Sequence, residues 1–233
     1  MDFQVIELYP SPWSERLRWV LDAKGLSYRR RAYRPIADEA ELRRETGIAT
    51  APVLIADGEV IGDSDAAVDW LEARCPTPAL LPADAAQRAQ ARAFEVAATE
   101  ALAPCARLAW IGRCKAMELQ PLADHFAAKY GWSPEAEARG DRVLRVLLAD
   151  LAQAVAARKH LVGNTLTRAD MTVATMLIPA LGHPPEDLFA LDASMRSMFG
   201  LPLADEPGLA PLRRWRDELY RGHRGRRVTP ADG

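Results

Sequence analysis

The chain has 233 residues, of which 49% are hydrophobic and 27% are charged, a balance typical of a globular protein rather than a disordered chain. Its net charge of −2 and isoelectric point near 6.1 argue against a nucleic-acid-binding or membrane-surface protein. No apolar run approaches the roughly 20 residues that span a bilayer, and the first residues lack the pattern of a signal peptide. The sequence therefore predicts a cytoplasmic protein.

The cysteines and histidines form no recognisable ligand pattern. Cys75, Cys105 and Cys114 include no Cys-x-x-Cys pair, and the 4 histidines share no metal-ligand spacing. An odd number of unpaired cysteines is typical of a reducing compartment rather than of a disulfide framework. We therefore predict free thiols and no metal site.

Residues 1–76 alternate short apolar runs with helical patterns and are predicted to form one domain. The predicted elements are, in chain order, a strand over 3–8, a helix over 11–24, a strand over 26–33, a helix over 37–45, two strands around a tight turn at Asp57-Gly58, and a helix from Asp63. This β-α-β-α-β-β-α order predicts a thioredoxin-like α/β domain.

Prolines at positions 76, 78 and 82 exclude a helix, and residues 77–83 are predicted to be a linker. Residues 84–233 are predicted to form an all-helical domain. The predicted helices cover 84–115, 122–130, 133–159, 167–181 and 212–221. The basic segment 221–227 is predicted to be a solvated chain end.

Three short motifs of the first domain bear groups that suit one ligand. Ser11-Pro12-Trp13-Ser14 begins a helix, where unpaired N–H groups and the helix dipole stabilise an anion such as a thiolate. Ala51-Pro52-Val53 places proline at a strand start, where a cis bond leaves a strand edge for a peptide-like ligand. Asp63-Ser64, at another helix start, can hold the ammonium and the carboxylate of an amino-acid-like ligand end.

Together these motifs resemble those of the cytosolic glutathione S-transferase family. SPWSERLR (11–18) is similar to the family's C-P-F/Y-C-x-R-x-R pattern with serine at both cysteine positions. TGIATAPVL (46–54) resembles its cis-proline segment, and LVGNTLTRADMTVATML (161–177) resembles its N-capping box and buried helix. The resemblance covers about residues 3–181. It implies the glutathione transferase fold, an α/β thioredoxin-like N-terminal domain followed by an all-α helical-bundle domain.

The resemblance also implies the residues that bind glutathione, namely Ser11, Pro52, Val53, Asp63 and Ser64. Ser11 falls on the first position of the family's active-site pattern. The Ala51–Pro52 bond is expected to be cis, so that the Val53 backbone pairs with the cysteinyl part of glutathione. Asp63 and Ser64 are expected to hold the γ-glutamyl end.

The implied activity is glutathione S-transferase chemistry, with glutathione as co-substrate and a small hydrophobic electrophile bound by the helical domain. Ser11 is the expected partner of the thiolate, with Ser14 and Tyr9 as alternatives. Serine at both cysteine positions argues against disulfide exchange by an enzyme thiol. Glutathione-dependent isomerisation, dehalogenation and a non-catalytic binding or regulatory role are the alternative functions.

A homodimer is a further implication of the resemblance. In the family, the helix after Asp63 packs against the first long helix of the partner. Acidic residues on the first of these helices, Asp65, Asp69 and Glu72, are expected to face Arg88 and Arg92 on the second.

Overall fold

The computed structural model describes residues 1–231; Asp232 and Gly233, which the predicted helical domain includes, lie outside the described residues. The chain divides into two compact units. The first comprises Met1–Leu80 and the C-terminal segment that begins at Val228, and the second comprises Leu81–Arg227. The division falls within the segment predicted to be a linker.

The C-terminal segment is where this division differs from the sequence-based prediction, which placed it in the helical domain. Its backbone accepts hydrogen bonds from Tyr9 and Arg30 of the first unit. The apolar Val228 side chain is only 3% exposed. The hydrogen bonds to Tyr9 and Arg30, together with the burial of Val228, explain why this segment belongs to the first unit.

The first unit is a mixed four-stranded sheet with helices, as predicted. Its elements are β1 Phe3–Glu7, α1 Pro12–Ala23, β2 Arg29–Ala32, α2 Glu39–Thr46, β3 Val53–Ala56, β4 Glu59–Ile61 and α3 Ser64–Arg74. The strand order is β2-β1-β3-β4, in which β1 and β2 are parallel and the other two pairs are antiparallel. The β3–β4 turn is Asp57-Gly58, and both residues have positive φ, as a two-residue hairpin turn of this twist requires.

The helical pattern of the second unit is also confirmed, except that two predicted helices are divided near prolines and a short helix over Ala193–Ser197 was not predicted. Its helices are α4 Ala85–Ala97, α5 Ala103–Ala116, α6 Leu122–Tyr130, α7 Pro134–Val155, α8 Arg168–Met176, α9 Ile178–Leu181, α10 Ala193–Ser197 and α11 Ala210–His223. A π-helical turn, Ala98–Leu102, separates α4 from α5, which were predicted to be one helix. Pro104 cannot donate to the helical ladder, so the backbone adjusts ahead of it. Pro179 similarly divides the predicted 167–181 helix into α8 and α9.

The start of α8 confirms the predicted capping box. Asp170, at the third helical position, accepts hydrogen bonds from the Thr167 N–H at 2.8 Å and the Thr167 hydroxyl at 2.9 Å. Its other oxygen accepts the Leu161 N–H at 2.7 Å. A buried carboxylate with these donors fixes the helix start and the preceding loop together.

The basic segment 221–227 is largely solvent-exposed, as its composition predicted, but it is anchored at two points. Helix α11 continues to His223, and Arg224 is 3% exposed. The Arg227 Nε donates to the carbonyl of Glu186 at 2.7 Å. Long arginine side chains reach backbone carbonyls that local sequence does not reveal. Within residues 1–231, no helix is long and apolar enough to cross a membrane.

Candidate functional site

The first two motifs meet at one end of the sheet. After β1 the chain turns sharply, and the Ser11 N–H donates to the Leu8 carbonyl at 2.9 Å. Strand β3 runs antiparallel to β1 and its first residue, Val53, pairs with Ile6 near the end of β1. The start of β3, with Pro52 just before it, therefore lies at the same end of the sheet as the Ser11 turn.

The third motif reaches this end through the β3–β4 hairpin. Because β4 is antiparallel to β3 and Ile61 pairs with Leu54, the chain leaves β4 beside the start of β3. Asp63 and Ser64 follow two and three residues later. The register of the sheet thus places all three motifs at one end of the strands, where a single extended ligand can reach all of them.

Ser11 occupies the N-cap position of α1 without capping it through its side chain. Its φ of −73° and ψ of 132° are extended, and its carbonyl accepts the Glu15 N–H at 3.0 Å. The side chain makes no capping hydrogen bond, and the residue is 9% exposed. Ser11 therefore stands at the start of the helix, as the sequence predicts, but its side chain does not cap the helix backbone. The hydroxyl is not committed to the helix backbone.

Ser14 and Tyr9, the alternatives to Ser11, are held differently. Ser14 is fully buried, and its hydroxyl has no hydrogen-bond partner among residues 1–231. The Tyr9 hydroxyl donates to the Val228 carbonyl at 3.1 Å. Burial raises the pKa of the Tyr9 phenol, against the opposing effect of Arg18, so the phenol stays protonated. Of the three hydroxyls, that of Ser14 is fully buried and that of Tyr9 binds the Val228 carbonyl, whereas that of Ser11 makes no helix-capping bond.

A buried ion network lies beneath this turn, and the sequence analysis did not predict it. Arg18 donates to Glu7 at 2.5 Å and to Glu15 at 2.9 Å, and all three side chains are at most 1% exposed. Burial alone would lower the pKa of Arg18, but the two carboxylates raise it overall. The Arg18 charge therefore offsets the negative charge of Glu15 in the first turn of α1. The one feature of the sequence that pointed toward this network was the R-x-R spacing at positions 16 and 18, which is part of the family's active-site pattern.

The other arginine of that spacing connects two motifs. Arg16 is 1% exposed and forms an ion pair with Asp65, which stands in the first turn of α3. This pair ties α1 to the helix start that bears Asp63 and Ser64. Arg16 thus fixes the distance between the proposed thiolate end and the proposed γ-glutamyl end of the site.

The strand edge next to Pro52 is open. The Ala51–Pro52 peptide bond is cis. The β3–β4 ladder pairs residues Leu54 to Ala56 and stops before Val53. Val53 therefore has no ladder partner in β4, which leaves that side of its backbone for an extended ligand.

Asp63 and Ser64 stand at the N-terminus of α3. One Asp63 carboxylate oxygen accepts the N–H groups of Asp65 at 2.8 Å and Ala66 at 3.0 Å. The Asp63 side chain is exposed, whereas Ser64 is 4% exposed. The carboxylate thus has a fixed orientation with its charge open to solvent. Among the described residues 1–231, no group of three or more His, Cys, Asp or Glu side chains is placed to hold a metal ion.

The chain is similar to known proteins in sequence and in fold. Residues 10–74 match the family model of the glutathione S-transferase N-terminal domain. The chain is 26% identical over 174 residues to the probable maleylacetoacetate isomerase of Caenorhabditis elegans, a match that covers 73% of this chain and 75% of that protein. It is 36% identical over 90 residues to the maleylacetoacetate isomerase of Pseudomonas aeruginosa, covering 36% of this chain and 42% of that protein.

A solved structure extends the likeness to the whole chain. The glutathione S-transferase of Methylobacterium radiotolerans, crystallised with glutathione sulfonate, superposes with a TM-score of 0.67 at 23% identity and covers 100% of this chain and 97% of its own. The chain therefore has the glutathione S-transferase fold, and its first unit has the sequence features of the N-terminal domain of that family.

Proposed function

We propose that the protein binds glutathione at the end of the sheet where Ser11, Pro52–Val53 and Asp63–Ser64 lie. The bound glutathione thiolate then acts as a nucleophile toward a small hydrophobic electrophile. The observation that carries this proposal is the convergence of the three motifs at one end of the sheet, given by the pairing register. The structurally similar protein crystallised with glutathione sulfonate supports the choice of ligand.

In this proposal the Ser11 hydroxyl donates a hydrogen bond to the bound sulfur. A free thiol has a pKa of roughly 8.5, so only a few per cent is ionised at pH 7. The N-terminus of α1 adds the positive end of a helix dipole, and Arg18 offsets the charge of Glu15. A decrease of about two units in the thiol pKa would make most of the bound glutathione a thiolate.

The protein also offers a complementary group for each of the other parts of glutathione. The open backbone of Val53 can pair with the cysteinyl amide in the manner of an added strand. The exposed Asp63 carboxylate suits the γ-glutamyl ammonium, and Ser64 with the N-terminus of α3 suits its carboxylate.

A second candidate function is glutathione-dependent isomerisation, which the names of the curated relatives favour. A maleyl group has a cis double bond conjugated to carbonyls. Addition of the thiolate to one alkene carbon, with the electron pair passing to the carbonyl oxygen as an enolate, makes the former double bond rotatable. Return of the electrons expels the thiolate and leaves the trans isomer. Both functions therefore use the same activated sulfur and differ in whether glutathione is consumed.

The two candidates are separated by the fate of glutathione. Isothermal titration first measures glutathione binding, and turnover is then followed with chlorodinitrobenzene and, separately, with maleylacetoacetate. Conjugation removes one glutathione for each product molecule, whereas isomerisation returns it. Binding without either reaction would favour a binding or regulatory protein. Absence of glutathione binding by the folded chain would contradict the proposal.

Ser64→Ala tests the assignment of the γ-glutamyl end. The substitution removes one hydrogen bond to a charged group, so we expect glutathione to bind about tenfold more weakly, or about 1.5 kcal/mol. Ser194→Ala, at the start of the exposed helix α10, is the matched control and should leave affinity unchanged. Equal affinities of the Ser64 variant and the unmodified chain in isothermal titration would mean that this end of the ligand lies elsewhere.

The homodimer and the charge pairing suggested for it remain proposals, although several of the charged residues also have partners within the chain. Asp65 pairs with Arg16, Glu72 pairs with Lys24, and Arg88 donates to the carbonyls of residues 82 and 83. These side chains have partners within the chain. We expect light scattering at micromolar concentration to give twice the chain mass of 25.7 kDa. A measured mass equal to that of one chain would exclude the dimer under those conditions.

A further inference from the structure

The backbone of residues 228–230, which we name the C-terminal strap, binds the turn that presents Ser11. The Tyr9 hydroxyl donates to the Val228 carbonyl at 3.1 Å. Arg30 donates to the carbonyl of Thr229 at 2.8 Å and to that of Pro230 at 3.3 Å. The partners are about 200 positions apart in the sequence, so these contacts are a feature of the tertiary structure alone.

Tyr9 is held by three of its groups. It lies within the Leu8–Ser11 turn, which is closed by the Ser11 N–H on the Leu8 carbonyl at 2.9 Å. Its carbonyl accepts a hydrogen bond from Arg18 at 3.0 Å, and the Arg18 guanidinium lies 5.2 Å from the centre of its ring. The strap binds the hydroxyl. The turn before Ser11 is thus fixed from both the protein interior and the strap.

Glu7 connects the strap to the same network. Its carboxylate is fully buried and accepts hydrogen bonds from Arg18 at 2.5 Å and from Arg30 Nε at 2.9 Å. Arg30 therefore bridges Glu7 to the strap, and Arg18 bridges Glu7 to Tyr9. The strap, the two arginines and the turn form one connected set of hydrogen bonds around the start of α1.

We propose that the C-terminal strap is a positioning element of the glutathione site: through Tyr9 and Arg30 it fixes the turn that directs the Ser11 hydroxyl at the sulfur. Tyr9 is then a positioning residue rather than a thiolate ligand, because its hydroxyl is used by the strap. This inference rests on the proposed function for its consequence in catalysis, but the ordering of the turn is a property of the protein without ligand.

Tyr9→Phe in the full chain is the first test, because it keeps the ring over Arg18 and removes only the hydroxyl that binds the strap. The second variant ends at Arg227, and its matched control ends at Ala231, which keeps every strap contact. Amide hydrogen exchange of Ser11 is measured without ligand. The ultraviolet absorbance of the bound thiolate is then followed against pH, and glutathione affinity is measured by isothermal titration.

We expect faster exchange of the Ser11 amide in Tyr9→Phe and in the chain ending at Arg227, with no change in the control. We also expect the bound thiol to titrate at higher pH and the dissociation constant to rise about threefold to tenfold, the range for one lost neutral hydrogen bond. Unchanged Ser11 exchange in Tyr9→Phe would overturn the proposal, as would a thiolate titration identical to that of the unmodified chain. If the unmodified chain binds no glutathione, the proposed function fails, and amide exchange still decides the role of the strap.

Discussion

Replacement of Ser11 by alanine is expected to slow glutathione-dependent turnover at pH 7 about tenfold to a hundredfold, which corresponds to roughly 1.4–2.7 kcal/mol of activation free energy. The reason is that the hydroxyl is the proposed donor to the sulfur, and its loss raises the pKa of the bound thiol. Glutathione affinity should change less, because most binding groups lie along β3 and at the start of α3.

The measurement is the thiolate absorbance of the glutathione complex against pH, combined with turnover at a fixed pH. Ser14→Ala is the matched control, since Ser14 is one helical turn away but fully buried. A Ser11 variant that titrates like the unmodified chain, while the Ser14 variant shifts, would transfer the role to Ser14.

Comparison of Ser11→Ala with a variant of a true capping serine separates the effect on catalysis from the effect on stability. Because the Ser11 side chain makes no capping bond, its loss should leave the free energy of unfolding nearly unchanged. Ser133 provides a comparison, since its hydroxyl accepts the Ala136 N–H at 3.1 Å at the start of α7. Ser133→Ala should therefore lower the free energy of unfolding by about 1 kcal/mol.

The largest loss of stability is expected for Arg18→Met, about 3–5 kcal/mol in the free energy of unfolding. The substitution keeps an apolar stem of similar length but removes the cation from between two buried carboxylates. Glu15 would lose its Arg18 partner, and Glu7 would keep only Arg30 among the arginines that bind it here. Urea denaturation followed by circular dichroism gives the value.

Arg34→Met is the matched control for Arg18→Met. Arg34 pairs with Asp38 four residues later, but its side chain is 78% exposed. An ion pair in water contributes little, so this variant should leave the free energy of unfolding nearly unchanged. Comparable losses in the two variants would show that the buried network contributes no more than a surface pair.

The sequence predicted those parts of the structure that depend on neighbouring residues. Ser11-Pro12 marked the start of α1, Asp57-Gly58 marked the hairpin turn, and Thr167 with Asp170 marked the capping box of α8. Each of these signals is local, since a turn or a helix start is specified by residues within four positions of one another. The same locality allowed the three candidate motifs to be recognised and placed on their elements.

What the sequence did not reveal depends on contacts between distant positions. The Arg18–Glu7 pair joins a helix to a strand, and the strap joins Val228 to Tyr9. No periodicity encodes such pairs, because charged residues are usually solvated and only the tertiary fold decides which become buried. Asp65 and Glu72, which were expected to face a dimer partner, likewise have intramolecular ion-pair partners that the sequence did not reveal.

Lys24 offers a chemical reporter of the segment that follows α3. Its ammonium is fully buried, forms an ion pair with Glu72 at 2.8 Å, and donates to the carbonyls of Cys75 at 2.8 Å and Pro78 at 3.0 Å. The chain has only three other lysines, Lys115, Lys129 and Lys159, and each has some solvent exposure. An amine-acylating reagent should therefore modify those three first. Lys24 becomes accessible to the reagent only when residues 75–78 move away from α1. The rate of Lys24 acylation, followed by peptide mass spectrometry, would therefore report how often this segment opens.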